Sequence, residues 1–261
     1  MAPATDTQMV CGLHPVRLAL EHRGAACQKL VVEAGPPNSR VQAVLELARK
    51  QGVRIDTLPR EVFRKKYREM HHQRLVAYFA PRAPLDLDAL LDQAARQTDP
   101  PVLALLDGIQ DPQNLGAILR SAEALGLAGA VVPRHRSAPL NETTARCAAG
   151  GLEFLAIAQT GNLVQAVRTL KKQGYWVVGL DAAGPDPIQE FSFAYPLALV
   201  LGGEARGIRP LLKKQCDALV RIPMAGRVES LNASAAAAVA FYEALRQRRP
   251  AGTASHKKSG R

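Results

Sequence analysis

The 261-residue chain has only four cysteines, Cys11, Cys27, Cys147 and Cys216, and no two of them stand as a C-x-x-C pair. That spacing argues against a zinc site or a disulfide framework and points to a reducing cytoplasm. Long apolar runs are missing too. Although 47% of the residues are hydrophobic, no stretch approaches the ~20 residues of a membrane span. Met1–Met9 lacks the basic and apolar regions of a secretory signal. No G-x-G-x-x-G follows a strand-like run, so an ordinary dinucleotide fold is not signalled. Neither a Ser-His-Asp arrangement nor a metal-ligand cluster stands out. What the apolar fraction does support is a packed core, for one large domain or two modest ones.

Charge is abundant but unevenly placed. The net +11 resides in the two ends: residues 1–81 carry 13 Lys/Arg against 7 Asp/Glu, and residues 246–261 carry 6 basic residues and no acid. The intervening 82–245 is nearly neutral, with 15 basic residues against 16 acidic ones. A polyanion would be gripped from the flanks while the centre does something else. The plainer reading is charge for solubility.

Hydrophobic periodicity divides the chain into an N-terminal α/β module at 9–81, a linker at 82–100, a second α/β unit at 101–249 and a basic, disordered tail at 250–261. In the first, helices at Pro15–His22, Val41–Gln51 and Arg60–Arg68 alternate with strands at Lys29–Glu33, Val53–Leu58 and Leu75–Phe79. The linker is marked by Pro81, Pro84 and Pro100-Pro101, with a short helix at Leu87–Arg96. In the second, the continuous apolar run Val102–Leu106 reads as a strand covered on both faces. Strands at Ala128–Val132, Leu155–Ala158, Tyr175–Leu180, Leu197–Leu201 and Ala218–Ile222 alternate with helices, ending in the Ala-rich Ser230–Arg248. Such alternation predicts a mostly parallel sheet with right-handed crossovers.

Three blocks sit where strand-like runs give way to loops or helix starts, where α/β proteins place ligand sites. In the first, Asn114 is an apt helix N-cap, and a phosphate at that helix start could be gripped by Arg120. A capped helix with a solvated arginine explains the same residues. The second, Gly202-Gly203-Glu204-Ala205-Arg206-Gly207, allows close backbone approach to a ligand, with Glu204 as acceptor. A Gly-rich strand exit with a capping Glu reads equally well. The third, Ser230-Leu231-Asn232-Ala233-Ser234, follows Ile222-Pro223-Met224. Ser230 suits a helix cap, whereas Asn232 in the first turn of a buried helix needs partners. His14 and His72 read as loop or core residues, Trp176 and Tyr175 as core, and His135 between Arg134 and Arg136 as a basic loop.

Taken together, Asp107-Gly108-x-x-Asp111-Pro112-x-Asn114-Leu115-Gly116-x-x-x-Arg120-Ser121-Ala122, Leu197–Gly207 and Ile222–Ser234 resemble the three motifs of the SpoU family of RNA ribose 2′-O-methyltransferases, within the SPOUT superfamily. Gly12-x-His14-x-Val16 and His72-Gln73-x-x-Val76-Ala77 resemble that family's substrate-binding domain. Val132-Pro133 with Arg136-Ser137-Ala138 and Asn141 resembles the subgroup that methylates a guanosine ribose in the peptidyl-transferase loop of 23S rRNA. The resemblance implies a C-terminal trefoil-knot domain with a parallel sheet, a small L30e-like RNA-binding domain, S-adenosyl-L-methionine as cofactor and a homodimer acting on 23S rRNA or a ribosomal assembly intermediate, without DNA or membrane partners. It implies that Gly202, Ile222 and Leu231 line the cofactor pocket. Asn114, Arg120, Glu204, Ser230 and Asn232 would form the reaction site, with Arg120 a candidate for donation across the dimer. The family is credited with a general-base arginine, but a guanidinium of pKa above ~12 rarely surrenders its proton. Arg120 is therefore expected to hold the target phosphate and to stabilise charge on the 2′-oxygen. Two departures stand out: the family usually has Gly where Ala205 and Arg74 stand. The same chemistry on a tRNA or another rRNA ribose, or a catalytically silent RNA-binding protein, are the competing readings.

Overall fold

The computed structural model describes residues 7–68, 70, 72–80, 83–97, 99–204, 206–228 and 230–248. The expected tail at 250–261, and the substitution at Ala205, lie outside them. An N-terminal sheet is built from β1 (Gln8–Cys11), β2 (Cys27–Glu33), β3 (Ile55–Leu58) and β4 (Leu75–Phe79), in the order β1-β4-β2-β3. Only β2 and β3 run parallel; β4 pairs antiparallel with β1 and β2. Helices α1 (Leu13–Arg23) and α2 (Ser39–Lys50) bury Val16, Leu20, Val41 and Val44 against one face. Helix α3 (Arg60–Lys66) buries Phe63 against the other. β1 has no counterpart in the sequence reading, because four residues are too few to establish a period.

The turn before β4 shows why a glycine suits the position of Arg74. Gln73 and Arg74 both have left-handed φ, 44° and 71°, where a glycine is free and a side chain costs ~1 kcal/mol or more. His72 Nδ1 accepts the Arg74 N–H at 3.1 Å and supports the turn.

The segment expected as a linker is tied to the second unit. Leu85 pairs with β7 (Ile157–Thr160), and α4 (Leu87–Ala94), capped by Asp86, places Leu90, Leu91 and Ala94 in that unit's core. The unit's sheet is wholly parallel. It adds β5 (Val102–Asp107), β6 (Gly129–Pro133), β8 (Trp176–Leu180), β9 (Asp186–Pro187), β10 (Leu197–Gly202) and β11 (Ala218–Arg221), in the order β7-β6-β5-β10-β8-β11-β9. Each central strand is apolar on both faces because helices cover both: Leu197, Leu199 and Leu201 enter one core, Ala198 and Val200 the other.

On the first face lie α5 (Pro112–Ala124) and α9 (Ala233–Arg248), with α6 (Glu142–Ala148) packed against α5. A Cβ on Gly116 would run into Thr144 O and Cys147 Cβ, so this glycine lets α5 and α6 approach. Ala237, Ala240 and Ala244 are buried where α9 packs on α5. The segment before β10 lies over α9, with Tyr195 Oη donating to Ala244 O at 2.7 Å and Gln247 Nε2 to Phe191 O at 2.9 Å. Helices α7 (Leu163–Lys172) and α8 (Pro210–Lys213) cover the second face. The sheet modules meet where Arg23 forms an ion pair with the buried Glu153 and His22 stacks edge-on against Phe154 at 4.4 Å.

All four cysteines are free. Burial pushes the Cys11 thiol up to about 12 and those of Cys27 and Cys216 up to about 11. Thiolate is the reactive form, so at pH 8 these three should resist iodoacetamide in the native chain and react promptly once it is unfolded, as mass spectrometry would report.

Candidate active site

The C-terminal edge of the parallel sheet collects the loops after β5, β8, β10 and β11. There three side chains distant in sequence meet. Asn232 Nδ2 donates to Asn114 Oδ1 and to Glu204 Oε1, both at 3.0 Å, and Asn114 Nδ2 donates to the same Glu204 oxygen. Asn232 Oδ1 accepts from the Ser234 backbone N–H at 2.9 Å and from Ser234 Oγ at 2.6 Å. A backbone N–H can only donate, so it fixes which way the Asn232 amide is turned. Every polar position of that amide is then used. Glu204 takes both amides on one oxygen, and Oε2 has no protein donor among the described residues.

Local structure corrects two expected caps. Helix α5 starts earlier than Asn114: Pro112 is its first residue, and Asp111 caps it by accepting the Gln113 N–H at 3.0 Å. Asn114 is thereby released to bind Glu204. Likewise Ser230 lies before the helix it was expected to cap. Asn232 stands there instead, accepting from Ser234 on its side chain and from the Ala236 N–H on its carbonyl. Residue type alone could not separate Asp111 from Asn114, or Ser230 from Asn232, since all four are good caps.

A cavity of about 520 Å³ lies beside this network, lined among others by Gly202, Glu204, Ile222, Ser230, Leu231 and Asn232. A second, of about 540 Å³, takes in Asn114, Asp111 and Arg136, and shares Gly203, Glu204, Arg206, Gly207 and Ala233 with the first. Seven of the eight expected residues thus line one or other cavity. Arg120 lines neither: it is exposed on α5, with its Cα beside Gly151.

The loop that carries Glu204 has an anchor the motifs did not disclose as such. Asp107, fully buried at the end of β5, accepts from Arg209 N at 2.8 Å and Arg209 Nε at 2.6 Å, with Arg209 Nη2 also 2.6 Å from Oδ1. Gly203 N–H donates to Asp107 O at 2.9 Å, and Gly207 N–H to Gly203 O at 2.8 Å. A buried carboxylate closing an apolar strand signals a partner, but nothing in the sequence singles out Arg209 as that partner.

The first cavity suits S-adenosylmethionine. Its size falls within the range of small-molecule sites, roughly 300–1,000 Å³. Leu180, Leu201 and Ile222 offer an apolar bed for a purine, and Met224 and Leu231 are large apolar side chains left 38% and 39% exposed at its mouth. Glu204 sets a carboxylate on its wall.

Fold and site together define a parallel α/β protein with a small-molecule cavity at the carboxyl edge of its sheet, joined to a polar network that can orient a second ligand. Comparison narrows the class. Residues 101–242 match the SpoU rRNA Methylase family and residues 9–85 the RNA 2′-O ribose methyltransferase substrate-binding family. The chain belongs to the SpoU rRNA methylases. Among its relatives is the putative TrmH family tRNA/rRNA methyltransferase YacO of Bacillus subtilis, 39% identical over 227 residues, covering 86% of this chain and 90% of the relative. The 23S rRNA (guanosine-2′-O-)-methyltransferase RlmB of Vibrio parahaemolyticus is 36% identical, covering 93% of this chain and 98% of the relative. In structure the chain is similar to the SpoU methyltransferase AviRb of Streptomyces viridochromogenes in complex with AdoMet, with a TM-score of 0.77, 27% identity, and 93% and 91% of the two chains covered. The AdoMet-bound rRNA methyltransferase of Sinorhizobium meliloti gives a TM-score of 0.76 at 27% identity, over 93% and 88%. The α/β trefoil-knot fold expected from the motifs is the fold of this family.

Proposed function

We propose that this chain transfers a methyl group from S-adenosylmethionine to a ribose 2′-hydroxyl of RNA, a guanosine in the peptidyl-transferase loop of 23S rRNA, and that it works as a homodimer in the cytoplasm. The observation that carries this reading is the Asn114–Glu204–Asn232 network on the wall between two cavities. A module that only bound RNA would have no need of a carboxylate clamped by two amides beside an apolar pocket. The RlmB relatives favour 23S rRNA and its guanosine; the YacO relative keeps a tRNA ribose as the second reading.

When bound, the cofactor supplies a methyl group already activated on a sulfonium. Gly202, Ile222 and Leu231 hold it in the first cavity. What remains for the protein is a very weakly acidic 2′-hydroxyl that must be oriented and relieved of its proton. Asn114, Glu204 and Asn232, with Ser230 at the rim, position the ribose. Arg120 holds the adjoining phosphate through its guanidinium fork and stabilises negative charge on the 2′-oxygen. Its place outside both cavities supports donation from the partner subunit.

The test is transfer of labelled methyl to unmodified 23S rRNA fragments, with the product mapped by mass spectrometry, alongside ribosomal particles and tRNA. A 2′-O-methylguanosine in the peptidyl-transferase loop is expected. Methylation of tRNA alone would move the substrate to the second reading. Silence on every RNA together with no cofactor binding would reduce the chain to an RNA-binding protein. Arg120→Lys should lower turnover about 100-fold, the size of losing one positioned donor to a developing oxyanion. Near-normal turnover would sink the bidentate role. Co-expressed Arg120→Ala and Asn232→Ala chains should regain activity in mixed dimers if Arg120 crosses the interface, and stay inactive if it does not.

A further inference from the structure

On the N-terminal module one buried carboxylate gathers three arginines that the reaction site does not use. Glu33 closes β2, its side chain 4% exposed, with Arg60 Nε 3.7 Å, Arg64 Nε 3.5 Å and Arg74 Nε 3.9 Å from its oxygens. Three segments converge to build this. Arg60 and Arg64 stand one turn apart on α3, which packs on β2, and Arg74 comes from the turn before β4. The Glu33 N–H donates to Arg74 O at 3.1 Å, locking strand end to turn.

These separations are longer than hydrogen bonds, so the carboxylate attracts the three guanidinium groups while leaving the donors of Arg60 and Arg64 unconsumed. Arg60 and Arg64 remain 66% and 54% exposed. The cluster keeps a surplus of two positive charges in a small fixed area. Stability alone would be served by one closely paired arginine. Arg74 is held with particular care: its Nη1 donates to Pro36 O at 3.0 Å and its Nη2 to Glu33 O at 3.4 Å, against a Gly35 whose missing Cβ leaves room. The chain keeps this arginine at a left-handed φ that favours glycine. Lys65 and Lys66 follow on the same helix, extending the positive surface. The Arg60 and Arg64 forks, open to solvent, match phosphate oxygens bidentately, while the half-buried Arg74 braces the array from the turn.

We infer that the Arg60–Arg64–Arg74 cluster binds phosphates of the substrate RNA backbone, and that Glu33 is a positioning residue which holds the three guanidinium groups as one array. This rests on the reading of the chain as an RNA methyltransferase and names where its N-terminal module grips the substrate.

The experiment measures binding of a fluorescent 23S rRNA fragment to the full chain between 50 and 200 mM salt, with methyl transfer and cofactor affinity in parallel. Arg60→Gln/Arg64→Gln, both on exposed side chains, should weaken RNA binding about tenfold and flatten the log K against log salt slope by about 1 to 2, one step per lost phosphate contact. Turnover at saturating RNA and cofactor affinity should stay unchanged. Arg74→Gly removes a guanidinium while relieving the left-handed backbone, so weaker binding at an unchanged Tm would separate recognition from folding. Glu33→Gln gives the sharpest contrast, since it removes the one negative charge of the cluster. A diffuse basic surface would then bind RNA more tightly; an organised array, having lost its centre, binds more weakly. Unaltered affinity and slope in the arginine variants, or tighter binding by a folded Glu33→Gln chain, would overturn the inference. If the parent chain methylates RNA while these variants match it, the cluster alone fails. If the parent chain shows no salt-dependent RNA binding, the inference and the functional reading fail together.

Discussion

Gly202→Ala should abolish cofactor binding, with affinity falling at least about 100-fold and methyl transfer undetectable. A Cβ at this position would land well inside van der Waals distance of Gly207 C, Gly207 O and Ile208 N, all of them backbone. Backbone cannot turn aside as a flexible side chain can. The strand that carries Gly202 is held on both sides, by β5 and β8, and the loop it meets is closed by the Gly207–Gly203 hydrogen bond and by Arg209 on Asp107. The clash must therefore be relieved by displacing the loop, and that loop bears Glu204 and lines both cavities. Overpacking of this kind costs typically ~1–3 kcal/mol, occasionally more. Gly161→Ala is the control, because a Cβ there would have nothing within 4 Å. Isothermal titration with S-adenosylmethionine and a melting curve for each variant decide the matter: normal affinity in Gly202→Ala would show that the loop is not part of the cofactor site.

The second large effect is expected at Asp107, which no ligand need touch. Asp107→Ala removes the acceptor for Arg209 N, Nε and Nη2 at once. Breaking a fully buried ion pair costs ~3–5 kcal/mol, but the Arg209 side chain is 46% exposed and can recover water. A loss of about 2 kcal/mol is expected, the size of an unsatisfied buried donor. For a unit of this size that lowers Tm by about 4–8 °C. The diagnostic part is kinetic. With Arg209 released, the Gly203–Gly207 loop no longer holds Glu204 against Asn114 and Asn232, and turnover should fall about tenfold or more at temperatures where the chain is still folded. Loss of Tm with full turnover would make the pair a structural clamp only. Asp107→Asn should fall between, since an amide oxygen in the place of Oδ1 can still accept Arg209 Nε and Nη2 but leaves the Arg209 N–H without an acceptor.

Much of this protein was legible in its residues. Alternation of apolar strands with helices, set by side-chain period alone, placed the parallel sheet and located the loops at its carboxyl edge. The motif blocks named Asn114, Glu204 and Asn232 before any contact between them was known. Composition likewise placed positive charge in the N-terminal module, and the resemblance singled out Arg74 as a glycine replacement. These features are local: they depend on residue type and on spacing of a few positions.

Tertiary structure decided the rest, because it concerns pairs far apart along the chain. Which of two neighbouring good caps does the capping is not written in residue type: Asp111 closes α5, and Asn114, left free of that task, meets Glu204, 90 positions away. Asp107 and Arg209 are 102 positions apart, and only the parallel pairing of β5 with β10 brings the loops that bear them together. Short strands such as β1 and β9 exist because neighbours supply their hydrogen bonds, not because their own residues repeat. Arg120 carries the same lesson: its residue type suits a phosphate, while its position on α5 keeps it outside the cavities of its own chain. A sequence records the chemistry available at each position, but folding, by setting long-range distances against burial, determines which groups act together.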